Sequence, residues 1–180
     1  MDDDLNIQVI AYDVAMASTP RPSDKAPPDE PRWLSAEEQA TWRALAGVMV
    51  KGPWALECQL QRDAGLSFIE YHALARLSED PRHTLRMSTL AELTHASLSR
   101  LSHLVKRLEA RGFLRREPDP TDGRFTNAIL TKTGYEKLAA TAPEHVKTVR
   151  SLVIDCFNAE ELLQLRDSCE RLLSQFESGR

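Results

Sequence analysis

"STLAELTHASLSRLSHLVKRLEARG", residues 88–112, decides how the chain is read. Two helical patterns sit either side of a short break at His95–Ser97. The first, Ser88 or Thr89 to His95, is short. The second has Ser97 as its expected N-cap and Gly112 as the residue just past its end, where the left-handed backbone favours glycine. At 100° per residue the second helix gathers Leu101, Leu104, Val105 and Leu108 into one apolar stripe. Ser99, His103 and Lys106 lie opposite, flanked by Ser102 and Arg107, with Arg100 toward one edge. Short polar side chains near a helix N-terminus suit hydrogen bonding to base edges in a major groove. Lysine and arginine further along suit phosphates, and the free amides of the first turn favour an anion.

The residues after Gly112 strengthen that reading. Two apolar alternating segments, about 113–117 and 125–130, flank "DPTDGR" (119–124) and fit the arms of a β-hairpin. Short helix, turn, longer helix and hairpin make a helix-turn-helix with a wing, whose tip carries Asp122 and Arg124. The formal net charge of −4 conceals an asymmetry: residues 82–137 hold 11 Lys and Arg against 6 acids, a net of +5, and leave −9 for the rest. A basic block in an acidic chain is the footprint of a polyanionic partner.

Helices are expected on both sides. Ser35 with Glu38 forms a capping box for a helix carrying Trp42, Leu45 and Met49, and Gly52-Pro53 is expected to kink or break it. The pattern resumes over 54–63. Ser67 with Glu70 caps a further helix to about Glu79. Thr131 opens a long helix with the stripe Tyr135, Leu138, Ala142, Val146, Val149 and Val153, kinked at Pro143. Asn158 with Glu161 caps the last one, whose Leu162, Leu165, Cys169, Leu172 and Phe176 follow a 3-4-3-4 spacing. That stripe serves either dimerisation or packing within one subunit. Residues 1–31 carry five of the ten prolines and seven acids against two bases, the composition of a flexible lead-in. Residues 5–16 are apolar enough for one short element.

Several functions are disfavoured. No apolar run reaches the ~20 residues needed to cross a bilayer, so no membrane association is expected. The acidic start, MDDDLN, is unlike a secretory leader, which points to the cytoplasm. Cys58, Cys156 and Cys169 are widely spaced, which argues for reduced thiols. The five histidines form no metal-binding spacing. Without G-x-S-x-G, a glycine-rich phosphate loop or H-E-x-x-H, neither an enzyme nor a cofactor is expected.

Residues 87–138 resemble the winged helix-turn-helix core of the MarR family of bacterial transcription regulators. The matching pieces are L-A-E in the first helix, S-x-L-V-x-R-L-E-x-R-G at 102–112, D-P-x-D-x-R at 119–124 and L-T-x-x-G at 130–134. With its flanks the resemblance covers about 33–176. It implies a mainly α fold with a small β-hairpin wing (α+β). The core would span about 66–131, between dimerisation helices at about 35–64 and 132–176. It further implies a homodimer on a palindromic double-stranded operator, most simply a repressor released by a small aromatic or phenolic ligand. Ser97, Ser99, Arg100, Ser102, His103, Lys106 and Arg107 would then face DNA from the recognition helix. Arg124 would enter or approach the minor groove, with Asp122 orienting the wing. Leu162, Leu165, Leu172 and Phe176 would serve dimerisation. Trp42, Trp54, Tyr71 and His72 are candidates for the effector pocket, though aromatics at helical spacing are more often core. Tyr71 and His72 point about 100° apart, so one at most faces a given pocket. A thiol-sensing branch of the family carries a first-helix cysteine where this chain has Arg43, which disfavours redox sensing. The alternatives are a protein-interaction module on the same fold that does not bind specific DNA, and a thiol-based redox-sensing regulator of that fold.

Overall fold

The computed structural model describes residues 31–178, so the expectations for residues 1–30 lie outside it. The described chain divides into two units after Thr41. In the first, Ser35 Oγ accepts from the Glu38 amide at 3.2 Å while Glu38 Oε2 accepts from the Ser35 amide at 2.7 Å. This is the expected capping box, and helix α1 (Ala36–Ala64) starts from it.

Helix α1 corrects part of one expectation: no break falls at Gly52-Pro53, and the helix continues through it for 29 residues. Pro53 can remove only one backbone bond, from the carbonyl four residues earlier. That cost is spread over a long helix whose neighbouring Val48, Met49, Val50 and Trp54 are exposed, so water can meet the released carbonyl. The helix ends where Gly65 takes φ +60.

Helix α2 (Phe68–Glu79) begins at the second capping box, with Ser67 and Glu70 exchanging both bonds. Strand β1 (Thr84–Arg86) follows, then α3 (Met87–Leu93), α4 (Leu98–Ala110), β2 (Leu114–Pro118), β3 (Thr126–Leu130), α5 (Lys132–Leu152) and α6 (Ala159–Ser178). The fold is mainly α with a small antiparallel sheet. Its order is β1-β3-β2, with Ala128 of β3 opposite both Leu85 and Arg116. Strand β1 was not visible in the sequence, because three residues are too few to show alternation.

Helix α3 ends two residues before the expected His95. His95 turns left-handed (φ 49), and the Ala96 amide donates back to the Ala91 carbonyl at 2.9 Å, closing the turn into α4. The expected ends of α4 hold. Ser97 Oγ accepts from the Arg100 amide, and Gly112 takes φ +75 with its amide on the Glu109 carbonyl.

The core gathers the α4 stripe (Leu101, Leu104, Val105, Leu108) with Leu66, Leu74, Leu77, Leu90, Leu114 and Leu138, all buried. Full burial of such side chains contributes about 1.5–3 kcal/mol each. The α5 stripe is corrected. Its buried face is Gly134, Leu138, Thr141 and His145, whereas Tyr135, Val146 and Val153 stay exposed. Gly134 sets this rotation: a Cβ there would stand 2.1 Å from the Phe113 carbonyl oxygen. The face carrying the glycine is therefore the one able to approach β2. Helix α6 starts from the expected Asn158–Glu161 box and buries no residue at all. An amphipathic helix without a buried face has its apolar stripe unpartnered among the described residues.

Candidate nucleic-acid interface

The wing is organised by a residue outside the candidates read from the sequence. Asp119 is buried; its Oδ1 accepts from the Thr121 hydroxyl at 2.6 Å and the Thr121 amide at 2.9 Å. Its Oδ2 accepts from Arg86 Nε of β1 at 2.9 Å. Backbone bonds from the Asp119 amide to the Phe125 carbonyl and from the Phe125 amide to the Asp122 carbonyl close the loop. The Arg86 guanidinium also lies 4.6 Å from the Phe125 ring centre, a cation–π contact. Thr121, first by its hydroxyl and then by its amide, and Arg86 after it hold the Asp119 carboxyl well below the usual carboxylate range.

On this frame Asp122 grips Arg124. Asp122 Oδ2 accepts from Nη2 at 2.7 Å, and Oδ1 accepts from Nε at 2.9 Å and from the Arg124 amide at 3.1 Å. The pairing lowers the Asp122 pKa and raises that of Arg124. The Arg124 side chain remains 85% exposed, so the pair holds one edge of the guanidinium while the group stays open to solvent. Ion pairs this exposed contribute little stability. Orientation is the stronger consequence.

Helix α4 presents Ser99, Arg100, His103, Lys106 and Arg107 to solvent, with Ser97 exposed at the cap and Ser102 half-buried. Arg100 and Lys106 have no ion-pair partner among the described residues. Arg107 differs: its Nε donates to Glu70 Oε1 at 3.2 Å. A recess lined by Leu98 and Ser102 of α4, Arg86, Arg116, Arg124 and Phe125 joins the helix to the wing. Ser102 of the recognition helix and Arg124 of the wing thus border one recess. Sequence reasoning missed Arg86, Asp119 and Glu70. The D-P-T pattern carried a signal for Asp119, since Asx turns take this form. Arg86 gave none, because its partner is 33 residues away.

The four effector candidates lie in different surroundings. Trp42 and Trp54 are 46% and 69% exposed on α1. Tyr71 packs on the buried His145 ring at 4.4 Å, and His145 Nδ1 lies 3.0 Å from Gln59 Oε1. His72 stacks on Phe68 and accepts from Arg76 Nε at 3.2 Å. Burial lowers the pKa of both histidines. Tyr71 and His72 thus face separate neighbours, as their angular separation requires. The three cysteines are free and exposed. No described helix is long and apolar enough to cross a membrane, and no described cluster of three His, Cys, Asp or Glu could hold a metal ion.

An α3–turn–α4 unit with its apolar stripe in the core, followed by an arginine-tipped β2–β3 hairpin, defines a winged helix-turn-helix protein. The MarR family model matches residues 64–124, from the end of α1 through the wing arginine. The crystal structure of Sco3205, a MarR family transcriptional regulator from Streptomyces coelicolor, in complex with DNA, is 46% identical. It matches 82% of this chain and 91% of that one with a TM-score of 0.77. AbsC, a MarR family transcriptional regulator from the same organism, is 36% identical over 82% of this chain and 99% of that one, at 0.78. BldR from Sulfolobus solfataricus, at 24% identity, 77% and 96% coverage and 0.66, shares the fold. No curated protein sequence matched. The chain belongs to the MarR family of transcriptional regulators, whose members are not enzymes.

Proposed function

We propose that the protein is a sequence-specific DNA-binding repressor acting as a homodimer in the cytoplasm. The observation that carries this is the recess that joins Ser102 of α4 to Arg124 of the wing, with the Arg124 guanidinium held by Asp122 and open to solvent. Ser99, Ser102 and His103 would meet base edges in the major groove, while Arg100 and Lys106 neutralise phosphates. Arg124 would reach a minor groove, where a narrow A·T-rich segment concentrates negative potential. The DNA complex of Sco3205 supports this docking by similarity.

Two half-sites about one helical turn (~34 Å) apart require two recognition helices, hence a dimer and a palindromic operator. The unpartnered apolar residues of α6, among them Leu172 and Phe176, with half-buried Leu162 and Leu165, support the C-terminal helices as dimerisation elements beside α1. On this division the DNA-binding core spans about 66–131. A small aromatic ligand would release the repressor through the junction of α1, α2 and α5. The Tyr71–His145–Gln59 cluster there supplies both apolar and hydrogen-bonding groups. The test is capture of genomic fragments by the purified protein, read by sequencing. Enrichment of a common inverted repeat supports the reading, and recovery of unrelated fragments contradicts it.

A further inference from the structure

We propose that Glu70 is a positioning residue for DNA recognition, fixing the register of α4 through Arg107 and Arg111. The inference rests on the DNA-binding reading above. Glu70 is only 6% exposed, and a buried carboxylate is costly unless it is paired. Its Oε2 accepts from the Ser67 amide at 2.9 Å, completing the α2 capping box. A glutamine would serve that box equally well, so capping leaves the charge unexplained. The charge is matched from α4: Arg107 Nε stands 3.2 Å from Oε1, and Arg111 Nη1 stands 3.8 Å from Oε2.

The geometry gives this pairing leverage. The α4 stripe that enters the core is apolar, and apolar contact is non-directional, so it fixes which face is buried but constrains a small tilt less sharply than a directional bond does. Both arginines lie toward the C-terminal end of α4, whereas Ser99, Ser102 and His103 lie nearer its start. Ser99 and Arg107 are about 12 Å apart along the axis at ~1.5 Å per residue. A tilt of about 5° would shift the reading end by about 1 Å, enough to spoil a hydrogen bond whose working range spans about half that. The other side of the corner is also fixed, since Glu57 Oε2 of α1 accepts from the Phe68 amide at 2.5 Å. Arg107 thereby changes role, from phosphate contact to tether.

The two roles predict different outcomes in one titration. If Arg107 binds a phosphate, Arg107→Gln lowers affinity for operator and random DNA by the same factor. If Arg107 is a tether, Arg107→Gln and Glu70→Gln each lower the operator-to-random ratio about tenfold, equivalent to ~1.4 kcal/mol. Removing the negative charge in Glu70→Gln leaves random-DNA affinity unchanged or raised. The double variant loses no more than either single one, because both break the same link. Arg107→Gln leaves the buried Glu70 carboxylate paired with Arg111, so this variant retains a fold in which to read the ratio and decides alone if Glu70→Gln does not fold. Amide exchange of the last α4 turn provides a DNA-free reading: both variants are expected to exchange faster there. A wild type that does not prefer its captured fragment overturns the functional reading, and exchange then decides the tether. An unchanged ratio, or unchanged α4 exchange in that case, overturns the proposal.

Discussion

Arg86 and Asp119 meet at 2.9 Å across 33 residues of sequence, tying strand β1 to the root of the wing. The Asp119 carboxylate also collects the Thr121 hydroxyl and amide, so the wing is built around one buried charge. Because the folded pKa is depressed, this charge contributes stability above the unfolded pKa of about 3.9 and loses it as pH falls from there toward the folded value. Wing order is therefore expected to be flat from neutral pH down to about 4. Following the Thr121 amide resonance through an acid titration checks this. A midpoint at or above the ordinary aspartate value would contradict the arrangement.

Gly134→Ala should destabilise the fold without touching the DNA-facing surface. The added Cβ would stand 2.1 Å from the Phe113 carbonyl oxygen and 2.9 Å from Leu130 Cδ1, and a backbone oxygen cannot swing aside. Overpacking of this kind costs about 1–3 kcal/mol. Urea unfolding should show a lower midpoint with an unchanged slope. A wild-type midpoint would mean that α5 can move off β2 freely.

Leu172→Asp with Phe176→Asp should convert the proposed dimer into monomers. Both residues are exposed within one chain, at 42% and 66%, and α6 buries nothing of its own. A charge on such a face raises the dimer dissociation constant roughly a hundredfold, since symmetry counts each change twice. Sedimentation velocity across a concentration series measures it. A dimer that persists at wild-type concentrations would move the interface elsewhere.

Lys106→Ala should weaken binding to operator and random DNA alike. Lys106 is exposed with no acidic partner among the described residues, so its charge is free for a phosphate. The logarithmic salt slope should become shallower by about 1. Equal slopes for variant and wild type would remove Lys106 from the phosphate contacts.

The sequence carried the fold where its signals were local. The Ser35, Ser67, Ser97, Thr131 and Asn158 helix starts each satisfy an amide within three residues, and all five caps form. The α4 stripe was legible because one amphipathic period spans the whole helix. The hidden features depend on distant partners. Three-residue β1 exists because β3 pairs with it, Asp119 gains its role from Arg86, and Arg107 from Glu70. The α5 face was misjudged for a related reason. Periodicity favoured Tyr135 and Val146, yet close approach at Gly134 and the Gln59 partner of His145 chose another face. Pro53 reads as a kink or a break because its local cost is clear in the sequence and the length of the surrounding helix is not.

The most direct test of the account is a binding titration of Arg124→Ala against wild type on a captured genomic fragment, with sedimentation run in parallel. The account predicts about tenfold weaker binding with an unchanged oligomeric state. Wild-type affinity in the Arg124→Ala variant would contradict it.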